Sequence, residues 1–340
     1  MIIPVGGFLG AGKTSLILAA ARLLTSRGIK TAAILNDQGD DLVDVSWMRA
    51  QGIQTDQVAG GCFCCLFSEL IAAAERLRDH SVETIFAEAV GSCTDISATT
   101  LQPLKLYHRD HFRVAPYTVV VDPHSCSDPG DAFLFQKQLE EADLVCFTKA
   151  DLYSEFPLIS NQPVQRLSSR TGQGVSGWLH EVMAGNHPSG TKILDIDYQQ
   201  YAEAEARLAW LNCRVLLQLK IALSPSAVVG PFLDNLDQAL SAGQLEIAHL
   251  KLTDDTASGF LKAAITRNGQ SPTVEGNLAA SPSDVHELLL NIRASGNPSS
   301  LRHIVEQHIS QLPGHSETRH MQCFSPAAPH PEYRFSEVTI

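Results

Sequence analysis

Gly7-Phe8-Leu9-Gly10-Ala11-Gly12-Lys13-Thr14 decides the fold, because it satisfies Gly-x-x-x-x-Gly-Lys-[Ser/Thr] at every fixed position. The apolar run Ile2-Ile3-Pro4-Val5 ahead of it reads as a buried first strand, and Ser15-Leu16-Ile17-Leu18-Ala19-Ala20-Ala21 behind it opens a helix. Strand, loop and helix in that order are the context the motif requires. Glycines let the loop wrap closely, so that backbone N–H groups face phosphate oxygens at the positive end of the helix. The expected phosphate cradle is therefore Gly7, Gly10, Ala11, Gly12, Lys13, Thr14 and Ser15, with Lys13 reaching the outer phosphates and Thr14 ligating Mg2+. A Gly-rich turn with a chance Lys-Thr would leave the spacing and both flanks unexplained.

The 340 residues suffice for two domains with their own cores, and a hydrophobic content of 44% fits a globular chain. A net charge of -12 and a pI near 5.5, without a Lys/Arg-rich run, oppose a nucleic-acid phosphate track. Small molecules or proteins are the expected partners. The sequence opens on the first strand without a signal-type segment, and no apolar stretch is long enough to cross a bilayer. No membrane contact and a cytoplasmic location are expected. In that setting the eight cysteines read as thiols or metal ligands rather than a disulfide framework.

A second buried strand at 31–35 leads into Asn36-Asp37-Gln38-Gly39-Asp40-Asp41, a polar loop placed where a switch segment would sense Mg2+ and the γ-phosphate. A solvated turn is the alternative. Next comes Gly60-Gly61-Cys62-Phe63-Cys64-Cys65, with three thiols in four positions, within reach of one soft or borderline ion if the loop curls. Strand geometry would point Cys65 away from Cys62 and Cys64 unless a helix begins there, and 66–77 does read as a helix. Three buried core thiols are the bland alternative. The strand at 84–87 delivers Glu88, a carboxylate placed to ligate Mg2+, and Gly91, whose N–H can meet the γ-phosphate. Strands at 114–121 and 143–147 and a helix at 136–141 follow.

Thr148-Lys149-Ala150-Asp151 ends the strand at 143–147 and resembles the base-reading tetrapeptide of GTPases. The Asp151 carboxylate can accept from both N1–H and N2–H of guanine, a match that adenine cannot offer. A strand-ending Lys-x-Asp is common by itself; its place downstream of the phosphate loop gives it weight. Ser168 and Ser169 lie in a loop whose backbone would approach the base, before a closing helix at Trp178-Leu179.

Taken in order, Gly7 to Thr14, Gly61-Cys62-Phe63-Cys64-Cys65, Glu88-x-x-Gly91, Thr148-Lys149-x-Asp151 and the 168–174 loop resemble the CobW-like family of metal-linked P-loop GTPases over residues 1–188. Asn36-Asp37-Gln38-Gly39 and Val90-Gly91-Ser92-Cys93-Thr94-Asp95 look closest to its cobalamin-synthesis-like subgroup. The resemblance implies a GTP/GDP- and Mg2+-dependent GTPase in which Cys62, Cys64 and Cys65 bind a transition metal, Zn2+ first and Co2+ next, while Thr14 and Glu88 hold Mg2+. Its implied catalytic set is Lys13, Glu88, Asp37 and Asp40. Nickel-inserting GTPases share the broad class. Many relatives carry Glu where Asp37 and Asp40 stand, so shorter carboxylates must position metal or water. Thr148 replaces the usual Asn and removes one loop-bracing amide. The implied partner is a client metalloprotein or corrinoid protein, and a homodimer is compatible with it.

Residues 189–210 read as a linker, and 211–312 as a smaller α+β domain. Strands at 213–223, 245–252 and 259–267 with helices at 226–241 and 283–293 suggest a ferredoxin-like sandwich. Another helix fits 301–312. Residues 313–340 read as a flexible tail whose His315, His320, Cys323 and His330 could hand over a metal. The expected fold class is thus α/β, a P-loop NTPase with a mostly parallel sheet, plus that domain. Two functions follow: a GTP-hydrolysing metallochaperone or insertase, or a GTP-switched assembly or reactivation factor that carries no free metal. A small-molecule kinase is opposed by the base-reading motif.

Overall fold

The computed structural model describes residues 1–127, 131–159 and 164–338. They fall into two units, one of 1–38, 51–204 and the stretch from 328 on, the other of 39–50 and 205–327.

In the first unit β1 (Ile2–Gly6) is buried at every position, as a strand covered on both faces should be. The phosphate loop follows and gives way to α1 (Lys13–Ser26), whose Leu16, Ile17, Ala20, Ala21 and Leu24 form one buried stripe. Then come β2 (Thr31–Asp37), α2 (Val43–Ala50, which groups with the second unit), β3 (Gln54–Ala59), α3 (Phe67–Asp79) and β4 (Thr84–Glu88). A buried π-helical turn at Ser97–Leu101 runs into α4 (Gln102–Tyr107). After it lie β5 (Thr118–Val121), α5 (Ala132–Glu141), β6 (Leu144–Phe147), β7 (Val164–Arg166), α6 (Val175–Ala184) and α7 (Tyr198–Ala206), whose last two residues group with the second unit. The sheet order is β3-β2-β4-β1-β5-β6-β7, every pair parallel. With β1 central, the loops after β1, β2, β4 and β6 leave the same carboxyl edge, where ligands of open α/β sheets gather. β5 is shorter than the strand expected at 114–121, and Val114 keeps only a bridge to Ile2.

The stretch expected as a linker is tied down. The Asp143 carboxylate accepts from the backbone N–H of Gly190 at 2.7 Å and of Thr191 at 2.9 Å, and from the Thr191 hydroxyl.

The second unit runs β8 (Leu208–Leu223), α8 (Pro225–Ala242), β9 (Glu246–Thr256), β10 (Gly259–Ile265), β11 (Thr273–Gly276), β12 (Ser283–Ser295), α9 (Pro298–Ser310) and β13 (His315–Phe324). Its antiparallel sheet has the order β11-β10-β9-β12-β8-β13. Without the β10–β11 hairpin, the remaining four strands and two helices have the split βαβ arrangement of ferredoxin-like folds. Two expectations fail here. Residues 283–293 are the central strand β12, not a helix: Leu288, Leu290, Ile292 and Ala294 enter the core at period two, while the consecutive Leu288-Leu289-Leu290 imitates a helical stripe. The supposed tail supplies an edge strand, β13, paired to β8 through its backbone, so its polar side chains give no apolar pattern to read. Residues 339 and 340 of that tail lie outside the described residues.

Segment 39–50 is stitched into the second unit. Arg214 grips Asp41 with two bonds of 2.9 and 3.2 Å, the Asn291 carboxamide oxygen accepts from Val43 N–H at 2.8 Å, and Asp44 lies between Lys251 and Lys262.

Candidate nucleotide and metal site

The phosphate loop is shaped by close approach. Gly7 has φ +129, and a Cβ there would sit 2.2 Å from the Val120 carbonyl oxygen, so only glycine fits. Gly12, at φ +93, caps α1 with its backbone alone. The Lys13 ammonium curls over the loop and donates to the carbonyls of Gly7 (2.8 Å) and Phe8 (3.2 Å). Thr14 Oγ1 donates to Glu88 Oε1 at 3.0 Å, both residues buried, which joins the loop after β1 to the end of β4. Gly91 approaches the same loop so closely that a Cβ would lie 2.6 Å from Leu9 Cδ2 and 3.1 Å from Leu9 N.

Thr148 differs from the expectation of a lost brace. Its hydroxyl donates to the Ala11 carbonyl at 2.7 Å, so the shorter side chain still ties the end of β6 to the phosphate loop. Lys149, in a left-handed conformation at φ +56, meets Asp122 at 2.5 Å, and Tyr153 donates to the same carboxylate. Burial pushes the Asp122 carboxyl up; the Lys149 charge and these hydrogen bonds outweigh it and hold the group below its ordinary range. Asp151 Oδ1 accepts from Ser168 Oγ at 2.6 Å, and Ala150 N–H bonds Leu167 O at 3.0 Å. The two loops expected at the base are therefore joined, with Ser169 adjacent.

The thiol loop is a tight turn. Cys65 N–H and Leu66 N–H both donate to Cys62 O at 3.0 Å, just before α3, and this swings Cys65 back instead of leaving it on the opposite face. Cys62 Sγ lies 3.2 Å from Cys65 Sγ, Cys65 Sγ lies 3.6 Å from Cys64 Sγ, and the three sulfurs are all within 4.8 Å of one another. Such a set fits a borderline or soft cation and ill suits a hard one. Asn36, at the end of β2 and buried, holds the turn: its amide donates to the carbonyls of Val58 (2.9 Å) and Gly61 (2.7 Å), and its oxygen accepts from Phe63 N–H at 2.8 Å. Hydrogen bonds of the Cys62 sulfur with Cys64, Cys65 and Cys93 hold its pKa well below that of an ordinary thiol. The hydrogen bond with Cys62 pushes Cys65 up to about 11.

Sequence reasoning missed two parts of this site. Cys93 lies in Val90-Gly91-Ser92-Cys93-Thr94-Asp95, yet nothing in its spacing from Cys62 announces their contact. The segment beyond β13 returns to the first unit and crosses the thiol loop. His330 N–H points to Cys65 Sγ at 3.2 Å, Glu332 N–H donates to Cys64 O at 2.9 Å, and the Glu332 carboxylate takes Ser68 Oγ at 2.6 Å at the start of α3. Tyr333 meets Phe67 edge-on at 5.4 Å, and Arg334 reaches the buried Asp95 at 2.8 Å. Burial pushes the Asp95 carboxyl up against the opposing pull of Tyr198 and Arg334. Nearby, burial raises Glu141 to about 8; its oxygens accept from Thr94 Oγ1 and Ser97 N–H.

The remaining candidates scatter. Asp37 closes β2 beside Ala59 of β3. Asp40 groups with the second unit, where its carboxylate lies 3.2 Å from His320 Nε2. His315, His320 and Cys323 lie along β13, with Cys323 donating to Pro298 O, while His330 belongs to the segment crossing the thiols. Among the described residues these four do not form one ligand set.

The family model described as CobW/HypB/UreG, nucleotide-binding domain, matches residues 1–171. Among solved structures, HypB from Helicobacter pylori in complex with nickel is similar at 18% identity, with 55% of this chain and 89% of that one covered and a TM-score of 0.43. Hydrogenase maturation factor HypB from Archaeoglobus fulgidus is similar at 19% identity, with coverage of 53% and 86% and a TM-score of 0.37. Zn(II)-bound YjiA GTPase from E. coli is similar at 14% identity, with coverage of 92% and 98% and a TM-score of 0.30. No curated protein matches. No helix among the described residues is long and apolar enough to cross a membrane.

Proposed function

From the premise that this chain belongs to the CobW/HypB/UreG family of P-loop GTPases, we propose that it spends GTP to move a transition metal, Zn2+ before Co2+, through the Cys62, Cys64 and Cys65 loop to a client metalloprotein or corrinoid protein. The observation that carries this is the Asn36 brace: the residue next to the candidate switch carboxylate Asp37 is also the one that fixes the thiol turn. A shift of β2 with nucleotide state would reach the sulfurs through three hydrogen bonds. Metal release by hydrolysis needs such a difference in affinity between the two states.

Each group has a role in this scheme. Lys13 exchanges its two carbonyl partners for outer phosphate oxygens, and the loop amides from Gly7 to Ser15 face the rest of the phosphate chain. Thr14 and Glu88, two oxygen donors 3.0 Å apart at the loop, fit a hard cation, and Mg2+ held there would neutralise phosphate charge. Gly91 offers its N–H to the γ-phosphate, and Asp37 orients water. Asp151 reads guanine from a carboxylate pre-aimed by Ser168, with Thr148, Lys149 and Ser169 shaping the base pocket. Without an arginine finger supplied by a partner, turnover should be slow.

An anaerobic competition of Zn2+, Co2+ and Ni2+ against a chromophoric chelator, repeated with GDP and with a non-hydrolysable GTP analogue, tests the scheme. A thiolate site whose affinity changes with nucleotide and collapses in Cys64→Ala, with GDP affinity kept, is expected. Metal affinity indifferent to both would refute metal carriage and favour the assembly-factor function.

A further inference from the structure

We propose that Cys93 is the fourth ligand of the cargo ion, closing a four-thiolate site with Cys62, Cys64 and Cys65, and that it is the ligand nucleotide state withdraws. This rests on the thiol loop being the metal site. Cys93 is 1% exposed and within hydrogen-bonding reach of the Cys62 sulfur, which also meets Cys64 and Cys65. Three clustered sulfurs and a fourth that touches Cys62 thus come from two segments far apart in sequence.

The backbone of Cys93 is held for such a task. Its N–H closes a turn onto Val90 O at 3.0 Å, and the Gln138 amide, buried on α5, donates to both Gly91 O (3.0 Å) and Cys93 O (2.9 Å). The geometry is near that of a bound ion. Zn–S bonds of about 2.3 Å in a tetrahedron place sulfurs roughly 3.8 Å apart. The hydrogen-bonded pairs at 3.2 and 3.6 Å need only to spread by a few tenths of an ångström. Cys93 is not among the three sulfurs already within 4.8 Å of one another, so its side chain must turn toward the ion. On binding, each thiol that ligates loses its proton to solvent, and four soft donors select Zn2+ and Co2+ over harder cations.

A closed four-thiolate shell holds its ion tightly, and release requires one ligand to leave. Cys93 is two residues from Gly91, whose Cα packs against Leu9 of the phosphate loop without room for a side chain. Movement of that turn with the γ-phosphate would draw Cys93 away and leave three ligands on a more exchangeable ion.

The test is an anaerobic Co2+ titration of the full chain, followed by thiolate-to-cobalt charge-transfer absorption and by competition, for the parent, Cys93→Ser and Cys64→Ser. Charge-transfer intensity should fall by about a quarter in Cys93→Ser, with affinity at least about tenfold weaker and its dependence on GTP analogue versus GDP reduced to what the Asn36 brace alone transmits. Full intensity and affinity in Cys93→Ser, with Cys64→Ser unable to bind, overturn the proposal while sparing the metal loop. Both variants binding as the parent does would overturn the loop itself. If Cys93→Ser loses GDP affinity and fails to fold, X-ray absorption on the Zn2+-loaded parent decides: four sulfur neighbours support the proposal, three sulfurs with a lighter atom refute it.

Discussion

Replacing Asn36 by Ala should loosen the thiol turn and the first unit together. The carboxamide satisfies two carbonyls and one N–H, and Asn36 is only 7% exposed. Alanine leaves those three backbone groups short of a partner where water has poor access, at about 1 kcal/mol or more each, hence about 3 kcal/mol in all. For a domain of this size that is roughly 6–12 °C in Tm. Asn36→Asp should cost as much, because its oxygens can still accept from Phe63 but oppose the carbonyls of Val58 and Gly61. Metal binding should suffer separately, since the ion must now order the turn itself; an affinity loss of about tenfold or more corresponds to ~1.4 kcal/mol, about one residue's backbone entropy. Thermal unfolding with and without GDP reports the first effect, and Co2+ competition the second. An Asn36→Ala protein melting within about 2 °C of the parent, with parental Co2+ affinity, would refute the brace.

Two further outcomes follow from groups elsewhere in the first unit. Glu141, raised to about 8 from 4.5, stays protonated in the folded chain where the unfolded chain would ionise it. Its contribution is therefore complete below pH 4.5 and is lost as pH rises to about 8, up to about 5 kcal/mol. Denaturant midpoints from pH 5 to 9 should fall for the parent and flatten in Glu141→Gln; parallel curves would refute the assignment. Asp151→Asn should weaken GTP binding by about 10–100-fold and favour xanthosine triphosphate, whose C2 carbonyl suits an amide donor. Fluorescent-nucleotide competition checks this, and an unchanged preference for GTP would count against Asp151 as the base reader.

What the sequence disclosed depended on how local the chemistry was. The placing of the phosphate loop, Glu88 and the 148–151 tetrapeptide at strand ends was legible because each lies directly against a short apolar run. The helical reading of 283–293 failed because three consecutive leucines satisfy either period, and the choice was made by pairing with β8 and β9. β13 escaped notice since edge pairing uses backbone groups that any side chain permits. Bracing by Thr148 was visible as a hydroxyl, but its reach to Ala11 depends on how closely β6 approaches the loop. Cys93 and the residue 330–335 segment meet the thiols only through tertiary structure, and no sequence period encodes that meeting.

The segment crossing the thiols also has a consequence during synthesis. Cys65 and His330 are 265 positions apart, and a ribosome adding about 5–20 residues per second needs roughly 13–53 s to pass from one to the other. For that interval the nascent first unit can have its sheet but not its cover, so the turn is open to oxidants and to whichever soft ion arrives first. Loading before the cover is made, or a holdase that shields the turn until then, would give the newborn chain a different metal history from the same chain refolded whole.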